Sequence, residues 1–332
     1  MTSYQEHFPS PSQKMPGTGQ NMVAASHPLA VQAGLQVLRE GGNAVDAAVA
    51  TAITLTVVEP TMNGIGSDAF CILWDGDRLH GLNASGRSPA ALSPRDFEGL
   101  DVMPAQGWPT VTVPGAVSAW IALSEKFGNL PFTRLFQDAI NHADRGFMVT
   151  PVTARLWARA PEEFRDFPDF GAFLPGGKAP EFGELFRFPD QARTLEKIAE
   201  TRGEAFYSGE LAEKIVAMSS RDGGKMALSD LEKHEADWVQ PIASDYNDLT
   251  LHEIPPNGQG LGAQIMLGIL QHTDMKNLDM ASADGVHCQL EAMKLAFADT
   301  FRYVGDPAYM DIDPNTCLLY TSDAADEHRD VE

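Results

Sequence analysis

Residues 22–60 read MVAASHPLAVQAGLQVLREGGNAVDAAVATAITLTVVEP. Pro28 suits the first turn of a helix, where its missing N–H is one of the orphan donors in any case. That helix is expected to run to about Glu40. Gly41 and Gly42 end it, because glycine enters the left-handed C-cap conformation without strain. Asn43 can then cap a second helix, with Asp46 at its third position favourable to the helix dipole. Ala, Val, Ile, Leu and Thr make up almost all of Ala44 to Val58, so this second helix has hardly any polar face and should be buried on all sides. Glu59-Pro60 stops it. A buried helix-turn-helix needs a layered α/β or α+β core around it, and Met22 to Ala25 are expected as a short strand ahead of it.

Further along, Phe70 to Trp74 and Leu79 to Asn83 predict a β-hairpin joined by Asp75-Gly76-Asp77. The Gly/Ser/Pro loop ASGRSPAALSP (84–94) leads to a short helix at Pro94 to Glu98. VTVPGAVSAW (111–120) predicts a strand, a Pro-Gly start and a helix from Ala116 to Phe127. Leu135 to Asp144, Thr194 to Arg202 and Gly209 to Ser219 are expected to be helical, with a loop-rich stretch from Pro161 to Phe188. Leu249 to Ile254 is expected as a strand, and helices follow from Gly260 to Gln271 and from Ala283 to Tyr303. Helices alternating with paired strands imply α/β or α+β layering.

The chain has 332 residues, 43% of them hydrophobic and 21% charged, an ordinary globular composition that excludes collagen, coiled coil and disorder throughout. Its 24 Lys and Arg face 46 Asp and Glu, for a net charge of -22. Such a surface repels phosphate, so neither nucleic acid nor an anionic membrane is an expected partner. Cys71, Cys288 and Cys317 have neither zinc spacing nor a disulfide pattern. No signal-like start and no long apolar run are present, which predicts a cytoplasmic protein, or a periplasmic one if further sequence precedes Met1. Residues 1–21 are expected to be a disordered lead-in. From Asn315 onward TCLLYTSDAADEHRDVE has no periodicity or capping logic, and 315–332 is expected to be read-through sequence or an acidic disordered tail.

Several residues could carry chemistry, each with a plainer alternative. Gly258-x-Gly260-x-x-Ala263 between a strand and a helix matches a dinucleotide turn on paper, but Pro255 and Pro256 intervene and no βαβ unit surrounds it. His287 and Glu291, four apart on one helix face, are spaced like metal ligands without a third partner, or form an exposed helix flank. Ser67-Asp68 is either a reactive turn or a pair of polar groups satisfying a tight loop. Arg87, in the loop after the hairpin, could grip a substrate carboxylate bidentately, or be a surface arginine paired with an acid. No complete active site emerges from spacing alone.

The segment 22–60, together with GIGSDAF (64–70), VTVPGAVSAW, IPPNGQGLGAQIMLGIL (254–270) and HCQLEAMKLAFADTFRYVGDP (287–307), resembles the γ-glutamyltranspeptidase family of N-terminal-nucleophile hydrolases, in family order. The resemblance implies an α+β fold, the four-layer αββα sandwich, of which 22–314 supplies the large-subunit part. It implies an inactive precursor that cuts itself and exposes a threonine as nucleophile, with its own α-amine as base. A γ-glutamyl or related acyl group would pass from a small-molecule amide to water or to an amine, without metal or organic cofactor.

Neither the Thr-Thr-His type of cleavage string nor the Gly-Gly oxyanion segment of that family occurs here. No catalytic residue is therefore assigned within this chain, which is expected to be inactive by itself and to need the missing small subunit of the same precursor. Members specialised for γ-glutamyl substrates carry arginine in an R-x-x-A-P string after the hairpin. Four residues before Pro89 this sequence has Ser85, and the nearest arginine is Arg87. With the less glycine-rich GIGSDAF loop, this points to the acylase- or amidohydrolase-like branch and makes glutathione an expected poor substrate. Arg87 is the one substrate-binding candidate. The alternative function is a non-catalytic short paralogue that binds a ligand or partner.

Overall fold

Capping chemistry and close helix packing begin the fold. The computed structural model describes residues 17–316 and 318, so most of the 1–21 lead-in and of the 315–332 tail lies outside the described residues. Helix α1 spans Pro28–Arg39 and α2 Ala44–Val58. The Asn43 side chain accepts from the Val45 and Asp46 N–H groups, and Asp46 accepts back from the Asn43 N–H, a reciprocal capping box. Gly41, at φ 93°, makes the left-handed exit from α1. The helices cross where α1 carries Gly34: a Cβ there would stand 2.3 Å from Thr51 Oγ1. Val49, Ala50, Ile53 and Val58 of α2 are buried, as its nearly all-apolar sequence requires.

Two compact units divide the chain. The first holds described residues 17–65 and 120–213, and the second 66–119 together with the residues from 214 onward. The hairpin β1 (Ala69–Trp74) and β2 (Leu79–Ala84) is followed by α3 (Ala116–Phe127), α4 (Phe132–Leu135) and α5 (Gln137–Arg145). In the first unit α2 packs on α5, and α5 packs on the later helix Pro189–Glu200, whose Leu195 and Ile198 are fully buried. Phe147–Met148 (β3) pairs antiparallel with Leu185–Phe186 (β4). Trp157, fully buried, meets Phe186 edge-on at 4.8 Å and donates its indole N–H to the Phe173 carbonyl at 3.1 Å.

In the second unit β1, β2 and β5 (Asp237–Val239) form a three-stranded antiparallel sheet, with Ala69 opposite Ala84 and Leu82 opposite Trp238. Leu82 and Ala84 are fully buried on it. Strands β6 (Ile242–Tyr246) and β7 (Leu249–Glu253) make a second hairpin. The helix Gly260–Gln271 packs on β6 through Leu261 and Ile265, and on the helix Ala283–Tyr303 through Ala296. Buried Gln264 donates to the carbonyls of Ile242 and Leu251, both at 3.2 Å, tying that helix to the hairpin.

Every strand pairing among the described residues is antiparallel, and none is the parallel pairing of a βαβ unit, which makes the fold α+β. Two expected strands are absent. Met22–Ala25 has no ladder partner. Val111–Val113 lies between Pro109 and Pro114, which lack N–H donors, and its Val113 N–H donates to the Arg87 carbonyl at 2.9 Å without building a strand. The expected helix Leu135–Asp144 is broken at Phe136 into α4 and α5, and the predicted helix at Pro94 is a single tight turn to Phe97. No described helix is long and apolar enough to cross a membrane.

Candidate functional site

The loop after β2 is fixed from several sides within the second unit. Asn83 Oδ1 accepts from both the backbone N–H and the hydroxyl of Ser85, at 2.9 and 2.8 Å. The Gly86 N–H donates to the Asp68 carboxylate. The Arg87 carbonyl accepts from Val113, and the Ala90 N–H donates to Asp230 Oδ1 at 3.1 Å. Glycines permit this packing. A Cβ on Gly86 would lie 1.5 Å from the Val113 carbonyl oxygen, and one on Gly115 would lie 1.8 Å from the Ala84 carbonyl oxygen.

On this pinned backbone the Arg87 side chain is 74% exposed. Its ion-pair partners among the described residues are Asp237 and Asp306, each at 3.8 Å. That separation exceeds hydrogen-bond length, and exposed pairs of this kind contribute little. Both sequence readings of Arg87 therefore find their ingredients here: acids stand nearby, and the guanidinium fork is held loosely enough to exchange them.

Beneath the loop lie Asp68 and His234. Burial pushes the Asp68 carboxyl up from its ordinary value, opposed by the Gly86 N–H and by the charge of His234. Burial pushes His234 down, against the pull of Asp237, while Arg87 adds to the lowering. His234 Nε2 stands 2.9 Å from Ser118 Oγ, and the Ser118 hydroxyl donates to the Gly115 carbonyl at 2.7 Å. Ser118 Oγ thus stands between the His234 ring and the Gly115 carbonyl at the start of α3. The Ser67 carbonyl accepts from the Gly115 and Ala116 N–H groups at the start of α3, so this turn has the bonding of a tight structural loop.

The other sequence candidates stand apart. At the Gly258 turn a Cβ on Gly260 would lie 2.4 Å from Glu253 Oε2, so a carboxylate occupies the approach a phosphate would need, and the neighbouring strands are an antiparallel hairpin. Glu291 accepts from Lys294 at 2.9 Å, the exposed-flank arrangement, and among the described residues no group of three His, Cys, Asp or Glu could hold a metal ion. Burial raises the Cys71 thiol, making it a poor nucleophile. His234, Asp237 and Asn257 were not singled out from sequence. They lie more than a hundred residues from the loop they serve, and no spacing rule reaches that far.

The profile of the family described as Gamma-glutamyltranspeptidase matches residues 30–330. The glutathione hydrolase-like YwrD proenzyme of Bacillus subtilis is 35% identical over 300 residues, covering 89% of this chain and 57% of that protein. The oxamate amidohydrolase proenzyme of Klebsiella pneumoniae is 36% identical over 306 residues, covering 90% and 57%. The chain thus spans little more than half the length of these curated relatives. Among solved structures, the cephalosporin acylase of Bacillus halodurans superposes with a TM-score of 0.86 at 41% identity, over 96% of this chain and 62% of that one. The γ-glutamyltranspeptidase of Helicobacter pylori gives 0.88 at 27% identity, over 95% and 93%.

Proposed function

The chain belongs to the γ-glutamyltranspeptidase family, on its acylase-like side, and from that premise we propose that it provides the acyl-binding part of a self-processing enzyme that cleaves an amide bond of a small, carboxylate-bearing substrate. The observation that carries this reading is Arg87: a backbone held by Val113 and flanked by the Asp68 and Asn83 anchors, below a guanidinium whose acidic neighbours stay at 3.8 Å. A substrate carboxylate can replace those long contacts with two charge-assisted hydrogen bonds of about 2.8 Å.

The nucleophile in this reading is the N-terminal threonine of a small subunit made from the same precursor, with its α-amine as base. It attacks the amide carbonyl, the amine leaves with a proton, and water or a second amine releases the acyl group. Residues 22–314 then form one part of a four-layer αββα sandwich and are inactive alone. Apolar side chains supported on one sheet face and one helix favour that completion: Phe70, Ile72 and Trp74 of β1 are 48%, 40% and 60% exposed, and Leu290, Phe297 and Phe301 are exposed on the helix Ala283–Tyr303. Ser85, at the position where γ-glutamyl specialists carry arginine, makes glutathione a poor substrate.

Expression of the complete gene tests this. Two fragments on a denaturing gel and hydrolysis of glutaryl-p-nitroanilide are expected; one uncut band without amide hydrolysis overturns the proposal. Arg87→Ala should raise KM for glutaryl-p-nitroanilide about tenfold while kcat changes little, as for loss of one charged contact. An unchanged KM returns Arg87 to a surface charge, and efficient glutathione hydrolysis refutes the inference from Ser85.

A further inference from the structure

Asn83, Ser85 and Asn257 close a ring of side-chain hydrogen bonds. Asn83 Nδ2 donates to Asn257 Oδ1 at 2.8 Å, Asn257 Nδ2 donates to Ser85 Oγ at 2.9 Å, and the Ser85 hydroxyl donates to Asn83 Oδ1 at 2.8 Å. Asn83 Oδ1 also accepts from the Ser85 N–H at 2.9 Å, which fixes that amide's orientation and with it the direction of the ring, and Ser85 Oγ lies 3.2 Å from Asn257 Oδ1 as well. Asn83 and Ser85 flank the end of β2, whereas Asn257 comes from the turn between β7 and the helix Gly260–Gln271, 172 residues from Ser85. That turn has its own support, because Gln264 fastens the helix to the hairpin.

We propose that Asn257 is the positioning residue of the Arg87 loop: through Ser85 it fixes the entry to the loop, and thereby the place from which the guanidinium reaches a substrate carboxylate. The inference rests on the reading of Arg87 as the carboxylate-binding group. Its physical basis is an asymmetry along the loop. Gly86 and Arg87 are held through backbone groups, by Asp68 and Val113, and those anchors survive any change at residue 257. Ser85 is held across the fold by a side chain alone. Removing Asn257 leaves Ser85 bonded only to Asn83 within its own segment, and leaves the Asn83 amide without its partner in the ring. The ring is exposed to water, so its loss costs little overall stability; what it supplies is direction.

Asn257→Ala in the full-length gene product is the test, with two readouts. The first is trypsin cleavage of the native protein at Arg87–Ser88, which requires the loop to leave its anchored conformation. The rate is expected to rise about fivefold with an unchanged urea midpoint, the change in local opening expected from loss of about one hydrogen bond. The second compares glutaryl-p-nitroanilide with pentanoyl-p-nitroanilide, its uncharged counterpart. KM should rise about threefold or more for the charged substrate, stay level for the uncharged one, and leave kcat within about twofold. In an Arg87→Ala background, Asn257→Ala should add nothing to KM.

An unchanged cleavage rate overturns the proposal, as does an equal rise of KM for both substrates. Failure of the underlying reading is separately visible. It shows as an unchanged KM in Arg87→Ala alone, whereas the tryptic rate is measured on protein that retains Arg87.

Discussion

Gly86 passes so close to Val113 that a Cβ built on it would stand 1.5 Å from the Val113 carbonyl oxygen and 2.9 Å from the Val113 Cα. The neighbouring Gly115 repeats the relationship in the other direction against Ala84. Two stretches of backbone are thus in direct contact on either side of the residue that presents Arg87, with no flexible side chain that could give way.

Gly86→Ala should therefore destabilise the protein by about 1–3 kcal/mol or more, the range for overpacking against rigid atoms, and should weaken binding of a carboxylate-bearing substrate by moving the loop. Gly66→Ala is the control, since a Cβ there meets nothing within 4 Å. Urea unfolding of both variants checks this. Equal midpoints for the two would show that the contact relaxes without cost.

Asp46 ties together the first unit. It is fully buried, and its Oδ2 accepts from the N–H groups of Asn43, Asn129 and Leu130 at 3.0, 2.9 and 3.3 Å. One carboxylate thereby caps α2 and holds the turn after α3. Asp46→Ala strips those half-buried donors of their acceptor at once, and at roughly 1 kcal/mol for each hydrogen bond lost the cost should be about 2–3 kcal/mol. A change below about 1 kcal/mol in chemical unfolding would mean that other acceptors replace it.

The Glu40–Arg134 pair predicts a pH dependence. Arg134 Nη2 donates to Glu40 Oε1 at 2.9 Å and its Nε donates to Glu40 Oε2, a bidentate fork. Hydrogen bonding from Arg134, helped by Gln36, pulls the Glu40 carboxyl from 4.5 down to about 2. Because the folded value lies below the unfolded one, the contribution is complete above pH 4.5 and is lost as pH falls towards 2. The Glu40 side chain is 36% exposed, so solvent screening limits the contribution to about 1 kcal/mol or less. Glu40→Gln should lower the urea midpoint at pH 7 and flatten its fall between pH 4.5 and 2. A parallel curve for the variant would show that the pair adds no stability.

The amino-acid sequence determined the elements whose causes are local. The capping box of Asn43 and Asp46, the burial of α2, the β1–β2 hairpin and the ends of the helices Gly260–Gln271 and Ala283–Tyr303 follow from residues within one turn of each other, where backbone geometry brings caps and periodic faces together without help. The missing strands at Met22 and Val111 depended on what lay opposite, because a strand exists only where a second chain segment completes its hydrogen bonds. Arg87 was legible as a charge in a flexible-looking loop. The features around it were not: the closed ring with Asn257, the carbonyl of Val113 against Gly86, and the half-buried pairing of His234 with Ser118 join residues up to 174 positions apart. Only tertiary structure could bring them together, since hydrogen bonds act over about 3 Å in space and carry no trace along the chain.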